Sequence, residues 1–158
     1  MEKILRHGIN IPLFAKSLNI SEEQAVNFLT DGRIIGRLGE FIISDKDGWC
    51  RSNNENTSFD VFDYINDKVE VRSITKSISF AASKEVGYGR KVTDEGFMDK
   101  LNSVDYYIGI DFRNLSELTF IKIGKDDVLD MCDIGIMRKN KSVNSKKFYK
   151  YIEGKLTI

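Results

Sequence analysis

Residues 59–73 read Phe-Asp-Val-Phe-Asp-Tyr-Ile-Asn-Asp-Lys-Val-Glu-Val-Arg-Ser. Two strand-like runs, 59–65 and 69–75, flank the turn-forming pair Asn66-Asp67, which is the pattern of a hairpin. In a strand, residues two apart share a face, so Glu70 and Arg72 project together while Val69 and Val71 point the other way. The first strand brings an aspartate beside this pair, and the turn decides which one. A two-residue turn sets Asp63 opposite Glu70, whereas a three-residue loop puts Asp60 on the Glu70 face. Asp60, in mid-strand, is favoured, with Asp63 second. Two convergent carboxylates are what a hard divalent cation such as Mg²⁺ requires. The competing reading of Asp60, Asp63, Glu70 and Arg72 is a solvated hairpin face with a cross-strand ion pair, worth under ~1 kcal/mol.

Downstream of this stretch, residues 78–82 form a third strand candidate, and 94–104 carry Phe97, Leu101 and Val104 at helical intervals. Residues 106–112 and 118–123 are two more strands, and 126–132 a short helix. Helices falling among strands give an α/β (α+β) fold. Upstream, a helix starts at Pro12 and stops at Asn19, a residue that tolerates the left-handed conformation. Ser21 and Gln24 form a capping box that opens a second helix, which Gly32 ends. Residues 32–44, two β-branched runs about a glycine-containing centre, then read as a hairpin. Helix, turn, helix, hairpin is a winged helix-turn-helix plan. The polar stretch 45–58 suggests a boundary, dividing the chain into a DNA-binding module (1–48) and a core (49–158).

At 158 residues the chain is one domain, or one compact domain with a small appendage. Lys+Arg and Asp+Glu are 24 each, so any attraction to nucleic acid comes from local patches. The apolar runs are too short to span a bilayer, and no secretory signal is visible, so a cytoplasmic, soluble protein with no membrane partner is expected. Cys50 and Cys132 make neither a metal knuckle nor a disulfide framework. His7, the single histidine, lies in a stretch expected to be mobile, which disfavours histidine-based nucleophilic catalysis.

Residues 83–91, with Lys84, Arg90, Lys91 and two glycines, suit close contact with phosphate. The basic tract from Arg138 to Lys155, interleaved with Phe148, Tyr149 and Tyr151, reads either as a solvated helix face or as a track for a nucleic-acid backbone.

Residues 11–44, containing "FAKSLNISEEQAVNFLTDGRIIGRLGEFIIS", resemble the excisionase-like winged helix-turn-helix. That resemblance implies base contacts from Gln24 and Asn27 and phosphate contacts from Arg33 and Arg37. Glu22, Glu23 and Asp31 depart from a DNA-facing helix, because their charges repel the duplex. Residues 59–123, with Asp, a hairpin-length gap and then Glu-x-Arg, resemble the PD-(D/E)xK, or restriction-endonuclease-like, nuclease superfamily. The preceding Pro is absent, and Arg72 stands where Lys is usual; Arg keeps its charge and cannot pass on a proton. The resemblance implies a restriction-endonuclease-like core, a mixed β-sheet flanked by helices, and a Mg²⁺-dependent DNA endonuclease of type II restriction-enzyme kind, with catalytic groups where the central strands splay. Asp60 or Asp63, Glu70 and the carbonyl of Val71 are then the metal ligands, and Arg72 orients the phosphate. Its substrate is double-stranded DNA, and its active species a homodimer, since one site cuts one strand at a time. The rival is a noncatalytic DNA-binding or regulatory protein in which Arg72 marks a degenerate site.

Overall fold

The computed structural model describes residues 2–46, 48–52, 58–85 and 91–156. The chain runs β1 (Glu2–His7), α1 (Ile11–Leu18), α2 (Glu22–Leu29), α3 (Gly32–Ser44), β2 (Cys50–Arg51), β3 (Val61–Phe62), β4 (Lys68–Ile74) and β5 (Ser77–Ser79). A 3₁₀ turn (Ser83–Glu85) follows, then α4 (Asp94–Asn102), β6 (Tyr106–Asp111), β7 (Leu118–Gly124), α5 (Lys125–Asp133), β8 (Ser142–Asn144) and α6 (Ser145–Leu156). Six strands form one mixed sheet in the order β1-β7-β6-β4-β3-β2, and β5 pairs with β8 in a separate ribbon. Strands β2, β3 and β4 are an antiparallel meander, and α4 carries the chain across to β6, which lies parallel to β4. The fold is thus mixed α and β, as the alternation of periodicities indicates. Among the described residues no helix is long and apolar enough to cross a membrane.

Both faces of the sheet are covered, which is why β6 is buried along almost its whole length. Its residues alternate as the pleat requires. Tyr106, Ile108 and Ile110 belong to a cluster with Leu29, Ile35, Ile43, Val61, Val69 and Val71. Tyr107 belongs to the opposite cluster, with Phe80, Phe97, Leu101, Ile123, Phe148 and Ile152. The stretches 1–48 and 49–158 therefore share one apolar layer between α3 and the sheet.

The first two helices follow their sequence signals. Asn10 caps α1 through Leu13 N–H at 3.0 Å, Asn19 ends it in the left-handed region at φ 53°, and Ser21 and Gln24 form the reciprocal capping box of α2. The expected wing is absent: residues 32–44 are the helix α3. Ile35, Gly39 and Ile43, four apart, make one buried stripe, and Gly39 is what lets that stripe lie flat on the sheet. A Cβ there would meet Ile110 Cδ1 at 2.8 Å and Val71 Cγ1 at 3.3 Å. The glycine that looks like a turn signal is a helix–sheet contact. Residues 2–7, expected to be mobile, are the edge strand, antiparallel to β7.

Candidate functional site

The site begins where β3 leaves β4. On its β4 side, strand β3 pairs with Lys68 and Val69. Asp60 N–H still bonds to Val69 O at 3.0 Å, and the register Val61↔Val69 puts Asp60 opposite Glu70. One step further along β4 no strand among the described residues continues the pairing. Val71 N–H is received instead by Oδ2 of Asp60, at 2.8 Å. A strand residue's N–H and C=O face the same edge, so the Val71 carbonyl also faces this opening.

Glu70 and Arg72 share a face, as their spacing requires. The Arg72 guanidinium lies 2.8 Å from Glu70 Oε1 and donates to Ala81 O at 2.9 Å. Glu70 is only 2 % exposed, and its Oε2 pairs with the Lys100 ammonium of α4. Lys100 also donates to Ser58 O at 2.5 Å, so it ties together the two segments that carry Asp60 and Glu70. Burial pushes Glu70 up from the ordinary glutamate range, against the pull of Arg72 and with the push of Asp60. Burial likewise lowers Lys100, opposed by Glu70. The hydroxyl of fully buried Tyr107 also lies within the field of Arg72 and Glu70 and has no hydrogen-bond partner among the described residues; burial is the main cause of its raised pKa.

From the other side of the sheet, α3 contributes Glu40. Its carboxylate holds Arg37 at 3.3 Å and Arg51 at 3.0 Å. Burial raises its pKa, and so does the charge of Asp60, which places three carboxylates in one field. A cavity of about 700 Å³ joins them, lined by Ile34, Gly36, Arg37, Leu38, Glu40 and Phe41 of α3 and by Asp60, Glu70, Val71 and Arg72.

Among the described residues no three His, Cys, Asp or Glu side chains converge closely enough as they stand to enclose a metal ion. The donor set is nevertheless of the right chemistry for a hard cation. Oδ1 of Asp60 has no donor among the described residues, and Glu40 and Glu70 are each held by two cationic side chains, with which a metal would share them. The charge of Asp60 pushes up both Glu40 and Glu70, while Arg37 and Arg51 on Glu40 and Arg72 and Lys100 on Glu70 pull the other way.

Asp63 is not a candidate ligand. It is 3 % exposed; its Oδ1 accepts from Ile65 N–H and Asp67 N–H, both at 2.9 Å, and its Oδ2 from the Tyr106 hydroxyl at 2.8 Å. These bonds hold the 63–67 connection, as aspartates do in turns. That connection is longer than either expected turn, and it brings Asp60, not Asp63, to Glu70.

Of the expected DNA contacts, only Arg37 lines the cavity among the described residues. Gln24 is committed through Oε1 to Ser21 N–H at 2.9 Å, while Asn27 is exposed on α2. Lys84 and Lys91 are exposed, and Glu85 between them accepts from the Thr93 hydroxyl at 2.6 Å. Arg90 and the Arg33 side chain lie outside the described residues. The aromatics of the basic tract are not free for stacking on bases: Phe148 is core, and Tyr149 and Tyr151 donate to Asp111 at 2.5 Å and Asp130 at 2.6 Å.

Glu40 and Lys100 are absent from the sequence-derived set. Glu40 was hidden by the hairpin reading of its segment. Lys100 had a signal: with Phe97, Leu101 and Val104 it falls at i, i+3, i+4 and i+7, a cation on an apolar stripe. No protein-family model matches this chain, and no curated protein matches its sequence.

Proposed function

We propose that this protein is a divalent-metal-dependent nuclease that hydrolyses DNA phosphodiester bonds, with a restriction-endonuclease-like core. The observation that carries the reading is the convergence of Glu40, Asp60, Glu70 and Arg72 on one cavity at the point where β3 leaves β4. The order α3, antiparallel β2-β3-β4, α4, parallel β6 supports it, because that succession surrounds the splay point with the residues the motif needs.

Asp60, Glu70 and the Val71 carbonyl would hold Mg²⁺, with Glu40 beside them. A hard divalent cation there supplies water activation and charge neutralisation at phosphorus. Arg72 keeps its charge at every working pH and acts on the phosphate by electrostatics and hydrogen bonding. Lys100 holds Glu70 from behind and fixes the Ser58 segment, so it is a positioning residue. Arg37 and Arg51 neutralise Glu40 until the cavity fills. A single such site cuts one strand, so double-strand cleavage calls for a homodimer on the DNA.

A second reading draws on the engagement of both Glu70 oxygens by cationic side chains, which suits a noncatalytic DNA-binding protein with a locked site. Incubating plasmid DNA with the protein, in Mg²⁺ and in EDTA, separates the two. The nuclease reading expects nicked or linear DNA only with Mg²⁺; intact plasmid in both, with retained DNA binding, would favour the locked site.

A further inference from the structure

The cavity has two unlike walls. One carries Asp60, Glu70 and Arg72; the other, from α3, carries Ile34, Gly36, Leu38 and Phe41 around the Arg37–Glu40 ion pair. A wall for phosphate chemistry has no use for an aromatic ring, yet Phe41 is 52 % exposed and its ring is stacked by the Arg51 guanidinium at 4.7 Å from the centroid. A half-exposed ring backed by a guanidinium is a ready surface for a second planar group.

Gly36 points the same way. In mid-helix a glycine costs about 0.5–1 kcal/mol relative to alanine, so it calls for a local reason. Gly39 has one in the sheet beneath it, but a Cβ at Gly36 would meet nothing within 4 Å. What the missing side chain leaves bare is the cavity wall. The cavity is an open cleft of about 700 Å³, with room for one nucleotide.

In paired duplex DNA the bases are stacked inside and show only their edges in the grooves, so they cannot lie flat on such a wall. We infer that the cavity takes a nucleotide whose base is unpaired, the base lying on the Phe41–Gly36 wall and its phosphate toward Arg72 and the carboxylates, so that the preferred substrate is single-stranded DNA. This rests on the nuclease reading for the role of the carboxylate wall and ranks single strands above the duplex, which would be cut more slowly.

The test is fluorescence anisotropy of the full chain in Ca²⁺, using a labelled single-stranded 20-mer and the same strand annealed to its complement. The single strand is expected to bind at least about tenfold tighter. Losing one base–aromatic stack corresponds to roughly five- to a hundredfold in affinity, so Phe41→Ala should weaken single-strand binding by that factor, and Phe41→Trp should restore it. Gly36→Leu, which fills the wall from a half-buried helix position, should do the same while the circular dichroism stays native and the melting temperature is no lower than that of the wild type. Equal or tighter binding of the duplex, or single-strand affinity unchanged in both Phe41→Ala and Gly36→Leu, overturns the inference. Cleavage in Mg²⁺, followed on the same two substrates, keeps the readings apart. Absence of cutting alongside an intact Phe41-dependent single-strand preference would refute the nuclease and uphold the base-binding wall.

Discussion

Gly36 and Gly39 lie on the same helix and test its docking when changed in parallel. Each substitution to alanine gains about the same helix propensity, 0.5–1 kcal/mol, because each removes backbone freedom from the unfolded chain. At Gly36 nothing opposes that gain, since a Cβ there has no neighbour within 4 Å. At Gly39 the new methyl meets Ile110 Cδ1 at 2.8 Å and Val71 Cγ1 at 3.3 Å, both on buried side chains of the sheet. Overpacking of this kind costs about 1–3 kcal/mol. Propensity cancels between the two variants, so their difference, about 1–3 kcal/mol with Gly36→Ala the more stable, measures the contact alone. Urea unfolding followed by circular dichroism reads it as a shift in midpoint at constant slope. Equal stabilisation of both variants would mean that Gly39 does not face the sheet. Destabilisation of both would return residues 32–44 to the turn-centred hairpin.

Other consequences are as direct. Burial and Asp60 raise the pKa of Glu40, so the folded protein loses stability as pH rises through that raised value. Glu40→Gln should therefore melt higher than wild type at neutral pH, with the gap closing below the ordinary glutamate range, while losing nuclease activity. Lys100→Met removes one of the two cations holding buried Glu70, Arg72 remaining, and should cost about 1.5–3 kcal/mol at neutral pH. That penalty should shrink as pH falls and Glu70 takes up a proton, and Lys100→Arg should recover part of it. Deleting residues 1–44 uncovers Val61, Val71, Ile108 and Ile110, so the remainder should be insoluble or unfolded when tested by proteolysis and circular dichroism.

Much of the sheet was legible because its signals are local. Strands β4, β6 and β7 and helices α4 and α5 follow the apolar periodicity to within a residue or two, and the i, i+2 relation of Glu70 and Arg72 comes directly from the pleat. The α1 and α2 caps are short-range hydrogen bonds between residues three apart, and they too are visible in the letters. What failed depends on distant partners. In residues 32–44 isoleucine pairs flank glycines, which matches a hairpin until one knows that Gly39 must fit against Ile110, far along the chain. Misreading α3 hid Glu40 with it. The connection after β3 was misjudged because Asp63 is fixed by Tyr106, a tertiary bond that no turn rule contains. Lys100 reads as one more helix-surface cation unless its place on the Phe97–Leu101 stripe is weighed above its charge.

The central claim, that Asp60 and Glu70 jointly serve a divalent cation in phosphodiester cleavage, is tested by comparing initial rates for wild type, Asp60→Ala, Glu70→Ala and Asp63→Ala with Mg²⁺ on one DNA substrate. Asp60→Ala and Glu70→Ala should each lose more than about a hundredfold in rate, the scale on which removing charge stabilisation at the reacting centre is felt. Asp63→Ala should keep most of its rate at a temperature where it remains folded, because Asp63 holds only the 63–67 connection. Full activity in Glu70→Ala, or loss confined to Asp63→Ala, would contradict the assignment of the site.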